Sequence, residues 1–296
     1  MDRIDRLELF ARIVEGGSFA AASHDLGIAR STATEAIKVL ERETGARLLA
    51  RTTRHVMPTP EGEEFYRRAR AILAEVEDAY GSFRQASPRG QLRIDASGLL
   101  TRTFLVPALP EFLTRYPELS IQFGQTDRLV DLVREGVDCV LRAGEPEDSS
   151  LKIRRLGELA EITCASPGYL EARGVPRDID DLAGHIMVGF VSSRTGEVMP
   201  LEFQRGGRIE TRRVPSQVMT DNSDTAGELA IRGLGLIQAP RYRFEPLLAA
   251  GMLVEVLADH PPGPMPLNAI YAGNRHMSRR LDVFLAWVTE IFAQRL

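Results

Sequence analysis

Residues 27–45 read GIARSTATEAIKVLERETG, and this stretch decides the fold. At 100° per residue, Ala33, Ile37, Leu40 and Thr44 share one face, whereas Ser31, Glu35, Lys38 and Arg42 line the other. The first face is a core stripe. The second carries charges and a hydroxyl with no apolar partner, so it faces water or a binding partner. Upstream, Leu7, Phe10, Ala11 and Val14 follow helical spacing as far as Gly16-Gly17. Ser18 is an N-cap for a short helix carrying Phe19, Ala22 and Leu26, and Gly27 is suited to close it. Three short helices with a tight second connection match a helix-turn-helix, whose later helix offers its outer face to a DNA groove.

Downstream, Leu48-Leu49 and Val56-Met57 flank the polar RTTR at 51–54, which predicts a small hairpin or wing. Thr59-Pro60-Glu61 is a helix start: a hydroxyl cap, proline at the first helical position, and a carboxylate at the positive helix end. From there Phe65, Ala69, Ile72, Val76, Ala79 and Phe83 recur at spacings of 4, 3, 4, 3 and 4. So narrow a seam predicts pairing with a second chain; packing on its own domain is the competing reading. SPRGQ at 87–91 breaks the helix and reads as a hinge. Beyond it, strands and helices alternate, first through LRIDAS, FLVPALPEFLTRYP, SIQFGQ and VDCVLRAG. The pattern restarts at ITCASP, near 162–167. This predicts two α/β subdomains built on parallel sheets, with a ligand cleft at the carboxyl ends of the strands.

Composition sets bounds on function. A chain of 296 residues, 44% hydrophobic and 26% charged, is long enough for two or three globular units. The net charge is −4, yet residues 26–60 are net +3, a local basic excess that attracts phosphate. No apolar run has the length of a signal-peptide core or a membrane span, so the expected location is the cytoplasm. Cys139 and Cys164 lack CxxC spacing and read as reduced, structural thiols, a redox sensor being the minor alternative. There is no GxSxG, no P-loop and no pair of histidines at metal spacing. Neither a catalytic residue, a metal site nor a cofactor is expected.

The sequence resembles the LysR-type transcriptional regulators along its whole length. The resemblance is carried by SFAAASHDLGIARSTATEAIKVLERETGARLLARTTRHVMPTPEG at 18–62, FLVPALPEFLTRYPEL at 104–119, DLVREGVDCVLRAG at 131–144, ASPGYLEARGVPRDIDDLAGH at 165–185 and DNSDTAGELAIRGLGLIQAP at 221–240. It implies an α/β protein: a winged helix-turn-helix at 1–60, a dimerising linker helix at 61–88, and a periplasmic-binding-protein-like effector domain at 89–296. Subdomain I would take about 90–162 and 267–296, and subdomain II about 163–266. The implied function is sequence-specific regulation of transcription, with operator binding modulated by a small polar or anionic effector that draws the cleft walls together. Implied partners are a double-stranded operator and further copies of the chain, as homodimer or homotetramer, with no membrane. The competing readings are a ligand-independent architectural DNA binder and an enzyme with a fused DNA-binding domain.

Carried over residue by residue, Arg30, Ser31, Thr32, Thr34, Glu35, Lys38 and Arg42 would meet the major groove, and Arg51, Thr52, Thr53 and Arg54 the backbone or minor groove. For the hydroxyls, helix capping is the alternative role. Effector candidates are Ser97, Gly98, Leu99, Thr101, Arg102, Gln125, Thr126 and Arg142 on one wall and Phe190, Asn222 and Gln238 on the other. For Arg102 and Arg142 the alternative is an ordinary ion pair. Two positions depart from the family. Ala29 stands where a capping serine is usual, so either Ser31 caps instead or about 1 kcal/mol is forgone. Glu35 replaces a commonly basic residue and could accept from cytosine N4.

Overall fold

The computed structural model describes the chain except residues 52–55, 84–86, 129, 146–150 and 274–276. Two compact units emerge: one of 1–90 with 133–136, the other of 91–132 and 137–296.

The first unit begins with helix α1 (Arg3–Gly16), opened by a reciprocal Asp2/Asp5 capping box and closed by Gly17 in the left-handed conformation. Helix α2 (Phe19–Asp25) is capped by Ser18, whose hydroxyl accepts from Ala21 N–H, as the sequence predicts. Helix α3 (Arg30–Thr44) follows after four residues and ends at left-handed Gly45. Its N-cap Ala29 makes no side-chain hydrogen bond and Ser31 does not substitute, so the cap energy is forgone. Ala33, Ala36, Ile37 and Leu40 are buried against Leu9, Phe10, Ile13, Phe19 and Ala22. Thr44, expected on the core face, is instead exposed, and its hydroxyl donates to Leu40 O at 3.0 Å. At the last turn the core has already ended.

Strands β1 (Leu49–Arg51) and β2 (Val56–Pro58) pair antiparallel and make the wing. Its base is tied to α3 by the Glu41 carboxylate, which accepts from Leu48 and Leu49 N–H at 2.9 and 3.2 Å. Thr59 caps helix α4 (Pro60–Phe83) by accepting from Gly62 N–H at 3.0 Å while donating to Arg47 O at 2.6 Å. Gly62 is required by contact: a Cβ there would lie 1.9 Å from Leu48 O.

The second unit contains two subdomains. The first is a five-stranded sheet ordered β4-β3-β5-β14-β6, from β3 (Gly90–Ala96), β4 (Leu119–Gly124), β5 (Cys139–Ala143), β6 (Lys152–Leu159) and β14 (Met265–Tyr271). β3 and β5 are parallel, as alternation predicts, but β14 runs antiparallel to both β5 and β6. A returning segment entering the middle of the sheet makes it mixed, which strand-helix alternation alone does not reveal. Phe104, Phe112, Phe284, Val288 and Phe292 are buried together on this sheet, the last three from the helix Arg279–Arg295.

Past Ala160 the chain enters the second subdomain. Here β7 (Glu161–Ala165) is the middle strand between β12 (Ile237–Pro240) and β13 (Val254–Val256), antiparallel to both. A parallel pair, β8 (Met187–Phe190) with β11 (Ser216–Thr220), and a hairpin, β9 (Leu201–Arg205) with β10 (Arg208–Arg212), complete it. Its two buried clusters contain Tyr169, Leu201, Phe203 and Leu236, and Ile162, Cys164, Ala230 and Phe244. Cys139 and Cys164 are free thiols buried in separate cores, one per subdomain. Burial pushes the Cys164 thiol up to about 12 and the Cys139 thiol higher still, so neither forms the reactive thiolate at neutral pH.

Candidate nucleic-acid interface and effector cleft

The outer face of α3 is built by subtraction. Once Ala33, Ala36, Ile37 and Leu40 are committed to the core, the remaining helix surface presents Arg30, Ser31, Thr32, Glu35, Lys38 and Arg42, all exposed. Lys38 Nζ lies 3.3 Å from the Glu35 carboxylate, an exposed pair that contributes little to stability and leaves both groups available. Thr34 is different: it is half-buried and its hydroxyl donates to Arg30 O at 2.9 Å, which satisfies its donor within the helix. Thr52, Thr53 and Arg54 lie outside the described residues, as does the side chain of Arg51.

The seam on α4 divides in two. Phe65 packs edge-on against Phe10 with ring centroids 5.4 Å apart, and Ala69 is buried in the helix-turn-helix core. Glu15 of α1 holds the same stretch of α4, accepting from Tyr66 Oη at 2.9 Å and Arg70 Nη1 at 2.6 Å. At these two positions the helix packs on its own domain. One turn further, Ile72 is 44% exposed. Val76 is half-buried, and the side chains of Ala79 and Phe83 lie outside the described residues.

In the second unit the effector candidates separate into three groups. Gly98, Arg102 and Gln125 converge: a Cβ on Gly98 would lie 3.1 Å from both Arg102 Nη1 and Gln125 Oε1, and 3.4 Å from Asp224 Oδ2. Asp224 comes from the other subdomain and bridges two guanidiniums, Arg102 at 3.0 Å and the buried Arg243 at 2.7 Å. Ser97 hydrogen-bonds Tyr242, whose ring packs at 5.0 Å against Phe104. Burial pushes the Tyr242 hydroxyl upward, so it stays protonated. Leu99 and Phe190 are half-buried.

Thr126 and Arg142 form a second group, around a buried carboxylate. Arg142 is ion-paired with Asp95 and also donates to Thr126 Oγ1 at 3.2 Å and Arg128 O at 3.0 Å, while Thr126 donates to Asp95 at 3.0 Å. The ion-pair alternative for Arg142 therefore applies, and the pair lies within one subdomain.

The third group is hydrogen-bonded to its own surroundings. Thr101 is fully buried and donates to Ser97 O at 3.1 Å. Gln238 accepts from Glu202 N–H at 2.8 Å and donates to Thr163 Oγ1 at 3.0 Å and Glu202 O at 2.8 Å, which fastens β9 to the central strand. Asn222 caps the helix Ser223–Ile231 by accepting from Thr225 N–H at 2.9 Å. These polar side chains are absorbed by local structure, as a single sequence could not reveal. Sequence reasoning missed Asp95, Asp127, Ser223, Asp224, Tyr242 and Arg243. An aspartate inside the apolar alternation of LRIDAS was the one signal.

A cavity of about 630 Å³ lies in the second subdomain, lined by Ser166, Tyr169, Arg173, Arg232, Leu234 and Met252. Its lining shares no residue with the contacts that bridge the two subdomains.

A winged helix-turn-helix with an exposed polar face on α3, followed by a two-subdomain α/β unit, is the architecture of a DNA-binding regulator that carries its own ligand-binding module. Family models agree in both parts: the bacterial regulatory helix-turn-helix protein, lysR family, matches residues 4–63, and the LysR substrate binding domain matches residues 85–293. The chain belongs to the LysR family of transcriptional regulators. It is 33% identical, over all of both chains, to the HTH-type transcriptional regulator YhjC of Escherichia coli K12. With the HTH-type transcriptional repressor PA14_22550 of Pseudomonas aeruginosa it shares 29% identity over 99% of this chain and 93% of that one. The solved structure of CrgA from Neisseria meningitidis, a LysR-type transcriptional regulator, is 30% identical, covers 97% of this chain and 98% of its own, and superposes with a TM-score of 0.61. No helix among the described residues is long and apolar enough to cross a membrane.

Proposed function

We propose that this chain is a cytoplasmic, non-enzymatic homo-oligomer that reads an operator through α3 and the wing. Its affinity is set by a small molecule in the cleft between the subdomains of its second unit. The observation that carries the DNA reading is the exposed face of α3. Arg30, Lys38 and Arg42 supply charge along the helix, Ser31 and Thr32 offer donors at its start, and Glu35 is the acceptor for cytosine N4. Thr34, Arg51, Thr52, Thr53 and Arg54 complete the interface. Exposed Ile72, with Val76, Ala79 and Phe83, forms the dimer seam, while Phe65 and Ala69 hold α4 to its own domain. We assign domain limits of 1–60, 61–88 and 89–296.

In the cleft, Ser97, Gly98, Leu99, Arg102, Gln125 and Thr126 form the first wall and Phe190 the second. Thr101, Arg142, Asn222 and Gln238 hold the walls in shape rather than touching ligand. Relatives include both a repressor and the activator AaeR of Escherichia coli K12, so either direction of control is compatible with this architecture.

The wing tests the DNA reading. Arg51→Ala or Arg54→Ala weakens binding to specific and unrelated duplexes alike and lowers the slope of log affinity against log salt by about one. Fluorescence anisotropy across a salt series measures this. An altered base preference at unchanged slope overturns the assignment of these residues to phosphate.

A further inference from the structure

The two subdomains are clasped by their own side chains. Asp127, in the loop after β4, reaches the start of the helix Ser223–Ile231, where its Oδ2 accepts from Ser223 N–H at 2.8 Å and from Ser223 Oγ at 2.7 Å. Ser193 Oγ, also from the second subdomain, donates to Asp127 O at 3.4 Å. A second clasp is the Arg102–Asp224 ion pair, with Asp224 backed by Arg243. The two clasps differ in strength. Arg102 and Asp224 are 56% and 41% exposed, so water screens their attraction. Asp127 is half-buried, accepts two charge-assisted hydrogen bonds, and sits where the dipole of a nine-residue helix favours negative charge.

The chain crosses between the two subdomains at Ala160. At the crossing itself, Arg241 N–H donates to Ala160 O at 2.7 Å and Tyr242 is packed on Phe104. The contacts between the subdomains are thus of two kinds, apolar packing of Tyr242 on Phe104 and polar, exchangeable bonds at Asp127 and Asp224.

We propose that Asp127 is a built-in closing ligand, a carboxylate of the chain itself that holds the two subdomains together at the start of the helix Ser223–Ile231. Where an effector acts in this cleft, which rests on the function proposed above, it competes with Asp127 for closure. The bistable element is the pair of subdomains, and any effector shifts it only by its differential affinity for the two arrangements.

The test uses the full chain carrying Glu118→Cys and Arg208→Cys, exposed positions in the first and second subdomain, labelled with nitroxides while the native thiols stay protected by burial. Pulsed electron resonance reads the distance between the labels. Without Asp127, the lost pair of charge-assisted bonds raises the open-to-closed ratio by about tenfold or more, so Asp127→Ala adds a longer-distance population. Asp127→Asn retains an acceptor oxygen and shifts the ratio less. Acetate, tens of millimolar, returns the Ala variant toward the closed distance and leaves the unsubstituted protein unchanged. Ser223→Ala, which removes one of the two donors, gives a smaller opening. A distance distribution that is identical with and without Asp127 overturns the proposal, as does an Asn variant that opens as far as the Ala variant. Failure of the effector reading is recognised separately, by operator affinity that no small molecule alters, and that result leaves the distance measurement standing.

Discussion

Replacing Arg142 by alanine lowers the stability of the second unit by about 3–5 kcal/mol. The cause is the partner left behind: Asp95 is 4% exposed, and Arg142 is its guanidinium. Removing one member of a buried pair abandons a charge in a medium that cannot solvate it, which costs more than the pair itself contributes. Thr126 would remain as a donor to Asp95 at 3.0 Å, too little to replace a cation. At about 2–4 °C per kcal/mol for a unit of this size, the melting temperature falls by roughly 10 °C. The combined Asp95→Ala and Arg142→Ala variant loses less than the sum of the two single variants, because no unpaired charge remains. Thermal denaturation of the four proteins measures the coupling. Strict additivity would mean that the two groups do not interact. Any loss of effector response in Arg142→Ala is then read as damage to the wall.

Replacing Glu161 by glutamine stabilises the protein above neutral pH. Burial first, and then repulsion from Glu202, raises the Glu161 carboxyl from 4.5 to about 7. The folded chain therefore keeps this proton between those two pH values while the unfolded chain releases it. The unfolded state binds fewer protons in that window, so stability falls as pH rises from 4.5 to about 7 and then levels off. A shift of this size is worth about 3 kcal/mol, and glutamine, which does not titrate, removes the penalty. Chemical denaturation at pH 5 and pH 8 should show the variant more stable than the parent at pH 8, with the difference shrinking toward pH 5. A constant gap at both values would assign the effect to packing.

The DNA-binding unit was legible in the sequence because its signals are local. Ser18, Gly27, Thr59 and Pro60 act within a few residues of themselves, and each stands in the structure where capping chemistry places it. The stripe Ala33, Ile37, Leu40 likewise follows from helical period alone. The cleft was legible only as a class. Asp127 meets Ser223 across 96 residues of chain, and nothing in either neighbourhood announces the other. Thr101, Asn222 and Gln238 carry the polar chemistry of ligand contacts, but their partners are the backbone and side chains around them. Periodicity cannot separate a polar group that serves a ligand from one that satisfies its own fold. The α4 seam shows the same limit: one spacing covers Phe65 and Ala69, packed at home, and Ile72, which is not.

In the proposed function the outward face of α3 reads base edges. Selection of duplexes from a random pool, with the full chain and with variants Ser31→Ala, Glu35→Ala and Arg42→Ala, measures this. The parent enriches a defined site. Glu35→Ala relaxes the preference at a cytosine within it, each lost base contact changing discrimination by about 1–3 kcal/mol. Arg42→Ala weakens binding with the preference retained, and Ser31→Ala alters either the site or the affinity at its start. Enrichment of the same site with the same affinity by the parent and all three variants would contradict the claim and place recognition on another surface.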